Sequence, residues 1–205
     1  MSHNRATGIS RCKVCRINYS LCICAEIKPT TIKSLISLVV HVHELKLTSN
    51  TAHFVQVMLP ESSEIHFRGL VNQPFDASKI TQRFGTPLFL YPHEDAVELD
   101  QSFAQKHPGP YHLSGPDGNW HQARRVRKRE DAFKSVMAVK LPAGIESEYQ
   151  LRRAPQPNWV STYESVAHTL GLLEGVEVQD HLMQFFRSWV KRTMFNRTGY
   201  KKYSS

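Results

Sequence analysis

Beyond Cys24 this chain of 205 residues contains no cysteine, which excludes a disulfide framework spread over the fold. No apolar run comes near a membrane span. The stretch Leu35 to Val40 is six residues, against the roughly 20 a bilayer requires. The amino end, MSHNRATGISRC, lacks the apolar centre of a secretory signal. There is no internal repeat, no low-complexity segment, and no G-x-G-x-x-G or P-loop signature. These absences predict a cytoplasmic chain with no membrane partner and no conventional Gly-rich nucleotide loop.

The cysteines that are present stand close together. Cys12-Lys-Val-Cys15 and Cys22-Ile-Cys24 fall within thirteen residues. Two close pairs joined by a short loop suit four thiolates around one tetrahedral zinc. Two disulfides are the competing arrangement, but bridges this crowded are strained. Zinc is therefore the expected ligand of Cys12, Cys15, Cys22 and Cys24, in a small knuckle that draws stability from its metal. The same reading implies a reducing compartment.

Charge is unevenly spread. Residues 1–33 hold six Lys/Arg and one acid, and residues 121–153 hold nine against four. The last nineteen residues hold six and no acid, whereas residues 154–186 hold four acids and no Lys or Arg. Separated basic blocks on a chain of net charge +8 suit a polyanion. The densest block is Arg124, Arg125, Arg127, Lys128 and Arg129. On a helix these cations cover more than half the circumference. With Arg152 and Arg153 they form the candidate nucleic-acid backbone contact, the competing reading being a solvated face. The tail from Lys191 to Tyr203 mixes cations with aromatics, as RNA-contacting segments and frayed termini both do.

Strand and helix patterns alternate, which argues for an α/β domain with a mainly parallel sheet. Strands are predicted at Leu35–Val40, Glu64–Phe67, Pro87–Tyr91, Tyr111–Ser114 and Ser135–Lys140. The strand Tyr111–Ser114 is expected to break at Gly115-Pro116-Asp117-Gly118. Helical spacing appears at Thr51–Leu59, His93–Lys106, Asn119–Glu130 and Gln179–Phe195. Ser161-Thr-Tyr-Glu164 reads as a capping box opening a helix that runs through Leu173 and ends at Gly175. The expected organisation is a zinc segment at 1–33, an α/β domain at 34–196 and a basic tail at 197–205, with a monomer favoured.

Five segments together resemble the DTW-domain family. Asp117-Gly118-Asn119-Trp120, followed by Ala123-Arg124-Arg125, resembles its Asp-x-Thr-Trp signature, with Asn119 in place of Thr. His41-x-x-Glu44 with Thr48-x-Asn50-Thr51, and Leu90-Tyr91-Pro92 with Asp95-Ala96, resemble two earlier segments. Tyr149-x-Leu151-Arg152-Arg153 with Ser161-Thr162-x-Glu164-Ser165 resembles a later one, Ser165 replacing Ala. The leading cysteines are similar to those of bacterial members. The likeness covers about residues 11–190 with the motifs in order.

The resemblance implies a tRNA-uridine aminocarboxypropyltransferase with the knotted fold of SPOUT methyltransferases. Such enzymes place the 3-amino-3-carboxypropyl group of S-adenosylmethionine on uridine N3, in the variable loop for bacterial members, and release 5′-methylthioadenosine. Asp117 is the expected general base, the competing role being a turn former that caps the next helix. Leu90 and Pro92 are expected to line the adenosine pocket. Trp120 offers an indole face for stacking, and equally suits a core. Ser161 and Thr162 open a helix whose end favours the methionine carboxylate. His41, Glu44 and Asn50 are candidates for orienting ligand or base, the competing role of His41 being a satisfied core histidine. Rival readings are a SPOUT-type tRNA methyltransferase and a non-catalytic zinc-knuckle RNA-binding protein.

Overall fold

The β-branched run Leu35–His41 forms strand β1 at the heart of a sheet, in a computed structural model that describes residues 10–151 and 159–198. The other strands are β2 (Ser63–Arg68), β3 (Thr86–Leu90), β4 (Val97–Glu98), β5 (Tyr111–Asp117) and β6 (Met137–Lys140). The sheet has six strands in the order β2-β1-β5-β3-β6-β4, and every pairing is parallel. Among the described residues the helices are α1 (Ala52–Met58), α2 (Ser78–Thr81), α3 (Phe103–Lys106), α4 (Trp120–Arg129), α5 (Asp131–Lys134), α6 (Thr162–Glu174) and α7 (Val176–Thr198). None is long and apolar enough to cross a membrane.

A parallel sheet must be covered on both faces, and β1 alternates accordingly. Ile36, Leu38 and Val40 enter the larger core with Phe54 and Met58 of α1, Tyr163 and Leu170 of α6, and Phe186 and Trp189 of α7. Val39 points the other way, towards Phe89, Ile80 of α2, Val126 of α4 and Phe133 of α5. The residues expected inward on the last helix, Leu182, Phe185, Phe186, Trp189 and Val190, are all buried. The second face also carries a polar run. Ser37 Oγ donates to Glu64 Oε1 at 2.7 Å and stands 2.7 Å from His112 Nε2. Burial lowers the pKa of His112, so the neutral ring is the form suited to this interior.

The capping box at Ser161 forms as its sequence predicts, with reciprocal bonds between Ser161 and Glu164. Gly175, at φ +126°, lets α6 turn directly into α7 in a conformation that side chains with a Cβ rarely adopt. The Glu174 carboxylate accepts from the backbone N–H groups of Lys33 and Ser34 at 2.9 and 2.7 Å, fixing the entry to β1. The cysteine segment packs into the larger core through Cys12, Cys15, Ile17 and Ile23. Trp189 Nε1 donates to the Cys15 carbonyl at 3.0 Å, and this bond joins the last helix to the first described loop.

Two expectations are corrected. The helix expected over His93–Lys106 is replaced by β4 and the single turn α3. Ala96, Leu99 and Phe103 are buried as their spacing predicts, but pairing with β6 wins over helical propensity: Val97 and Glu98 register with Val139 and Lys140, and Leu99 N donates to the Lys140 carbonyl at 2.9 Å. The strand expected to break at Gly115 instead continues to Asp117. β1 carries it on, with Leu38 opposite Gly115 and Val39 opposite Pro116. Pairing with β3 has ended at Ser114, so Pro116 sits where β5 has one neighbour and its missing N–H is tolerated.

Candidate functional site

A cavity of about 540 Å³ opens at the carboxyl ends of β1, β5, β3 and β6, the edge where open parallel sheets bind ligands. Leu38 and Gly115 form part of its floor. Leu90, Tyr91 and Pro92 follow β3, and Leu141 to Ile145 follow β6. Asn50 and Thr51, Tyr149, and the start of α6 from Ser161 to Val166 complete the wall. A mainly apolar cleft with a few fixed polar groups is the usual form of a small-molecule site.

Asp117 ends β5 and is 7% exposed. Asn50 Nδ2 donates to its Oδ2 at 2.5 Å, and Thr162 Oγ1 donates to its Oδ1 at 2.6 Å. Each oxygen therefore accepts a charge-assisted bond, from a different chain segment. Asn50 is itself held, because its Oδ1 accepts from His53 N at 3.2 Å. Tyr149 hydroxyl donates to the Ser49 carbonyl beside it. The Asn119 substitution leaves the turn intact: Asn119 Oδ1 accepts from Gln122 N, and Gln122 Oε1 from Asn119 N, both at 2.9 Å. Asn is as good a helix cap as the Thr of the resembled signature.

The start of α6 is more occupied than its sequence suggests. Glu164 N donates to Ser161 Oγ at 3.3 Å, and Tyr163 N to Thr51 Oγ1 at 3.3 Å. The Thr162 hydroxyl is turned to Asp117. Glu164, fully buried, also accepts from Glu148 N at 2.6 Å and lies within hydrogen-bonding reach of Ser147 Oγ. One carboxylate thus ties the helix cap to the 147–149 wall of the cavity.

Of the expected cofactor residues, Leu90, Pro92, Ser161 and Thr162 line the cavity with Asp117. Glu44, buried, lines it too. His41 sits outside, where its Nδ1 accepts from His43 N at 3.3 Å, a local turn role. Lys140 and Ser147 line the cavity unforeseen. A lysine closing a predicted strand at the ligand-binding edge is the signal that could have marked Lys140. The side chain of Trp120, together with Arg152, Arg153 and the tail beyond Thr198, lies outside the described residues.

The basic block divides. Arg124, Arg125, Lys128 and Arg129 are exposed on α4, and Arg124 is near enough to Tyr91 at the cavity wall to act on its hydroxyl. Arg127 turns inward, a correction to its expected place in the RNA contact. It is 8% exposed, and its guanidinium donates to the Phe133 and Val136 carbonyls and to Asp95 Oδ1 at 2.6 Å. Its place on the helix matches that of Val126 and Ala123, the buried side of α4.

The four cysteines are free thiols whose sulfurs all lie within 4.8 Å of one another. Cys12 and Cys24 are 3.4 Å apart, and Cys15 and Cys22 3.6 Å. Four ligands at about 2.3 Å from one metal ion have spacings of this order, so the donor set fits a metal. Burial opposes ionisation of Cys12, but the backbone N–H groups of Cys15 and Val14 and the neighbouring thiols outweigh it and lower this thiol to about 6. A thiol so placed is readily a ligand.

The DTW domain family matches residues 9–194 of this chain. Among curated proteins, the chain is 29% identical over 171 residues to "tRNA-uridine aminocarboxypropyltransferase 2" of Drosophila melanogaster, covering 80% of this chain and 67% of the fly protein. It is 26% and 24% identical over 168 residues to the proteins of the same name from Macaca fascicularis and Mus musculus. It spans 56% of the length of each of those two.

The Arg127–Asp95 contact has a testable pH signature. The Arg127 bond, with His93 beside it, holds the Asp95 carboxyl at about 2, below its ordinary 3.8. The contact is complete above pH 3.8 and is lost as pH falls through about 2. NMR titration of Asp95 is expected to show that low midpoint, and Arg127→Gln to return it towards the ordinary value.

Proposed function

The chain belongs to the DTW-domain family, and on that premise we propose that it is a tRNA-uridine aminocarboxypropyltransferase. The observation that carries the reading is convergence. Glu44, Asn50 and Thr51, Leu90 and Pro92, Asp117, Tyr149, and Ser161 and Thr162 come from separate motif segments and line one cavity. S-adenosylmethionine would supply a sulfonium whose neighbouring aminocarboxypropyl carbon accepts the nucleophile. The apolar wall of Leu90 and Pro92 suits its adenosine.

The nucleophile is uridine N3. Asp117, oriented by Asn50 and Thr162, takes the N3 proton. The N3–carbon bond forms as the carbon–sulfur bond breaks, and the electron pair returns to sulfur, giving neutral 5′-methylthioadenosine. Choice of this carbon over the methyl follows from which one the cavity sets in line with N3. The exposed cations of α4 receive the tRNA backbone beside the entrance. Placement of the uridine in the variable loop extends the reading. A SPOUT-type knot is a further extension of the reading, supported by the all-parallel sheet. The four cysteines are read as a zinc knuckle, a role that suits a reducing, cytoplasmic setting.

Asp117→Asn is expected to fold and to bind S-adenosylmethionine, while transfer falls by about 10²–10⁴-fold. Mass spectrometry of nucleosides and by-product from tRNA treated with each protein measures this. Wild-type protein should yield aminocarboxypropyluridine and 5′-methylthioadenosine. S-adenosylhomocysteine and a methylated base would sink the reading in favour of methyl transfer.

Neutralising Arg124, Arg125 and Lys128 together should weaken tRNA binding and reduce the slope of log affinity against log salt by roughly 0.7–0.9 per lost phosphate contact. Titrations at several ionic strengths read the slope. Purified protein should carry about one zinc per chain, and chelation should lower its melting temperature; metal-free protein of unchanged stability would overturn the knuckle.

A further inference from the structure

Arg16 directly follows the buried Cys15, and it has φ +61°, the one positive value outside glycine among the described residues. The knuckle imposes it. Arg16 N donates to the Cys12 carbonyl at 2.9 Å, and Cys12 N to the Ile17 carbonyl at 2.8 Å, closing the turn that holds the first cysteine pair. A non-glycine residue held in this left-handed region is strained, and the strain has a directional result. The side chain leaves the knuckle and crosses to the loop after β1. There Nη1 donates to the Leu47 carbonyl at 3.1 Å and reaches the Asn50 carbonyl at 3.5 Å.

That loop delivers Asn50. Its backbone N–H bonds the Leu47 carbonyl at 3.0 Å, so both carbonyls under the guanidinium belong to the turn that aims the Asn50 side chain at Asp117. A second strut joins the same parts: His53 Nε2 lies 2.9 Å from the Val14 carbonyl, one turn further along the chain from Asn50. Burial works against the Arg16 charge and the Asp117 carboxylate works in its favour, so the two charges feel each other across Asn50.

We propose that Arg16 is a positioning residue for the reaction at Asp117, transmitting the folded state of the cysteine knuckle to Asn50 and through it to the base. The proposal rests on the transferase reading. A metal held by Cys12, Cys15, Cys22 and Cys24 would fix the turn; the turn sets the guanidinium, and the guanidinium clamps Leu47–Asn50. The knuckle then serves geometry at the reaction centre as well as stability.

The test uses the full chain with its metal and two variants. Arg16→Gly keeps a residue at ease with positive φ and removes the clamp; Arg16→Lys keeps a cation and a donor without the fork. Arg16→Gly is expected to retain wild-type metal content and melting temperature. Its kcat should fall about 10- to 100-fold, as a small misplacement of a catalytic group does, with KM for S-adenosylmethionine little changed. Arg16→Lys should recover part of the loss. The side-chain amide resonances of Asn50 should shift in Arg16→Gly and move back in Arg16→Lys. Wild-type kcat with unmoved Asn50 resonances would overturn the proposal. Loss of metal together with activity would also overturn it, because Arg16 would then serve only the knuckle. If wild-type protein transfers nothing, the functional reading fails instead, and the Asn50 resonances still decide whether the clamp exists.

Discussion

A buried carboxylate at the edge of a sheet is costly unless donors meet it, and the Asp117 carboxylate organises the surrounding chain for that reason. Its partners Asn50 and Thr162 stand 67 and 45 residues away in sequence. To bring Asn50 in, the chain leaving β1 makes the short 3-10 turn Val42–Lys46 and is braced by Arg16 and Tyr149. To bring Thr162 in, α6 must begin at the cavity wall. Its capping box fixes that start, and the Glu164 carboxylate extends the cap to Glu148. The apparatus that starts a helix is here the apparatus that shapes a pocket.

The distribution of charge follows the same division. Carboxylates of Asp117, Glu44 and Glu164 sit at or behind the cavity wall, while the exposed cations of α4 lie outside it. Lys140 is a cation within the cavity lining itself. The cysteine segment packs on the core of α1, α6 and α7, and α4 on the other, so the site lies between a metal-type knuckle and a basic helix on opposite faces of the sheet.

Much of this was legible in the chain because the signals are local. The β-branched run at Leu35, the box at Ser161, the stop at Gly175 and the cysteine spacing each state their structure within a few residues. What was not legible depended on distant partners. Val97 and Glu98 become a strand because β6 lies alongside, against their helical spacing. Pro116 stays in a strand because β1 continues past the end of β3. Arg127 looks like its cationic neighbours in sequence, yet it alone of the five faces Asp95 and the carbonyls of Phe133 and Val136. No periodicity announces Arg16, whose importance arises from a turn geometry and a loop 31 residues away.

The bond from Trp189 to the Cys15 carbonyl spans 174 residues, and that separation bears on how the protein comes off the ribosome. The cysteine segment is made before α7, to which it is bonded. A domain emerging at about 5–20 residues per second therefore leaves its knuckle exposed for on the order of ten to thirty seconds before the indole exists to receive it. A metal ion held by the four thiols would be the knuckle's own source of order during that interval. Nascent chains starved of metal would present Ile17 and Ile23 to solvent and to other nascent chains. Yield and aggregation in cells should thus depend on ion supply at the time of synthesis, separately from any later effect on the finished fold.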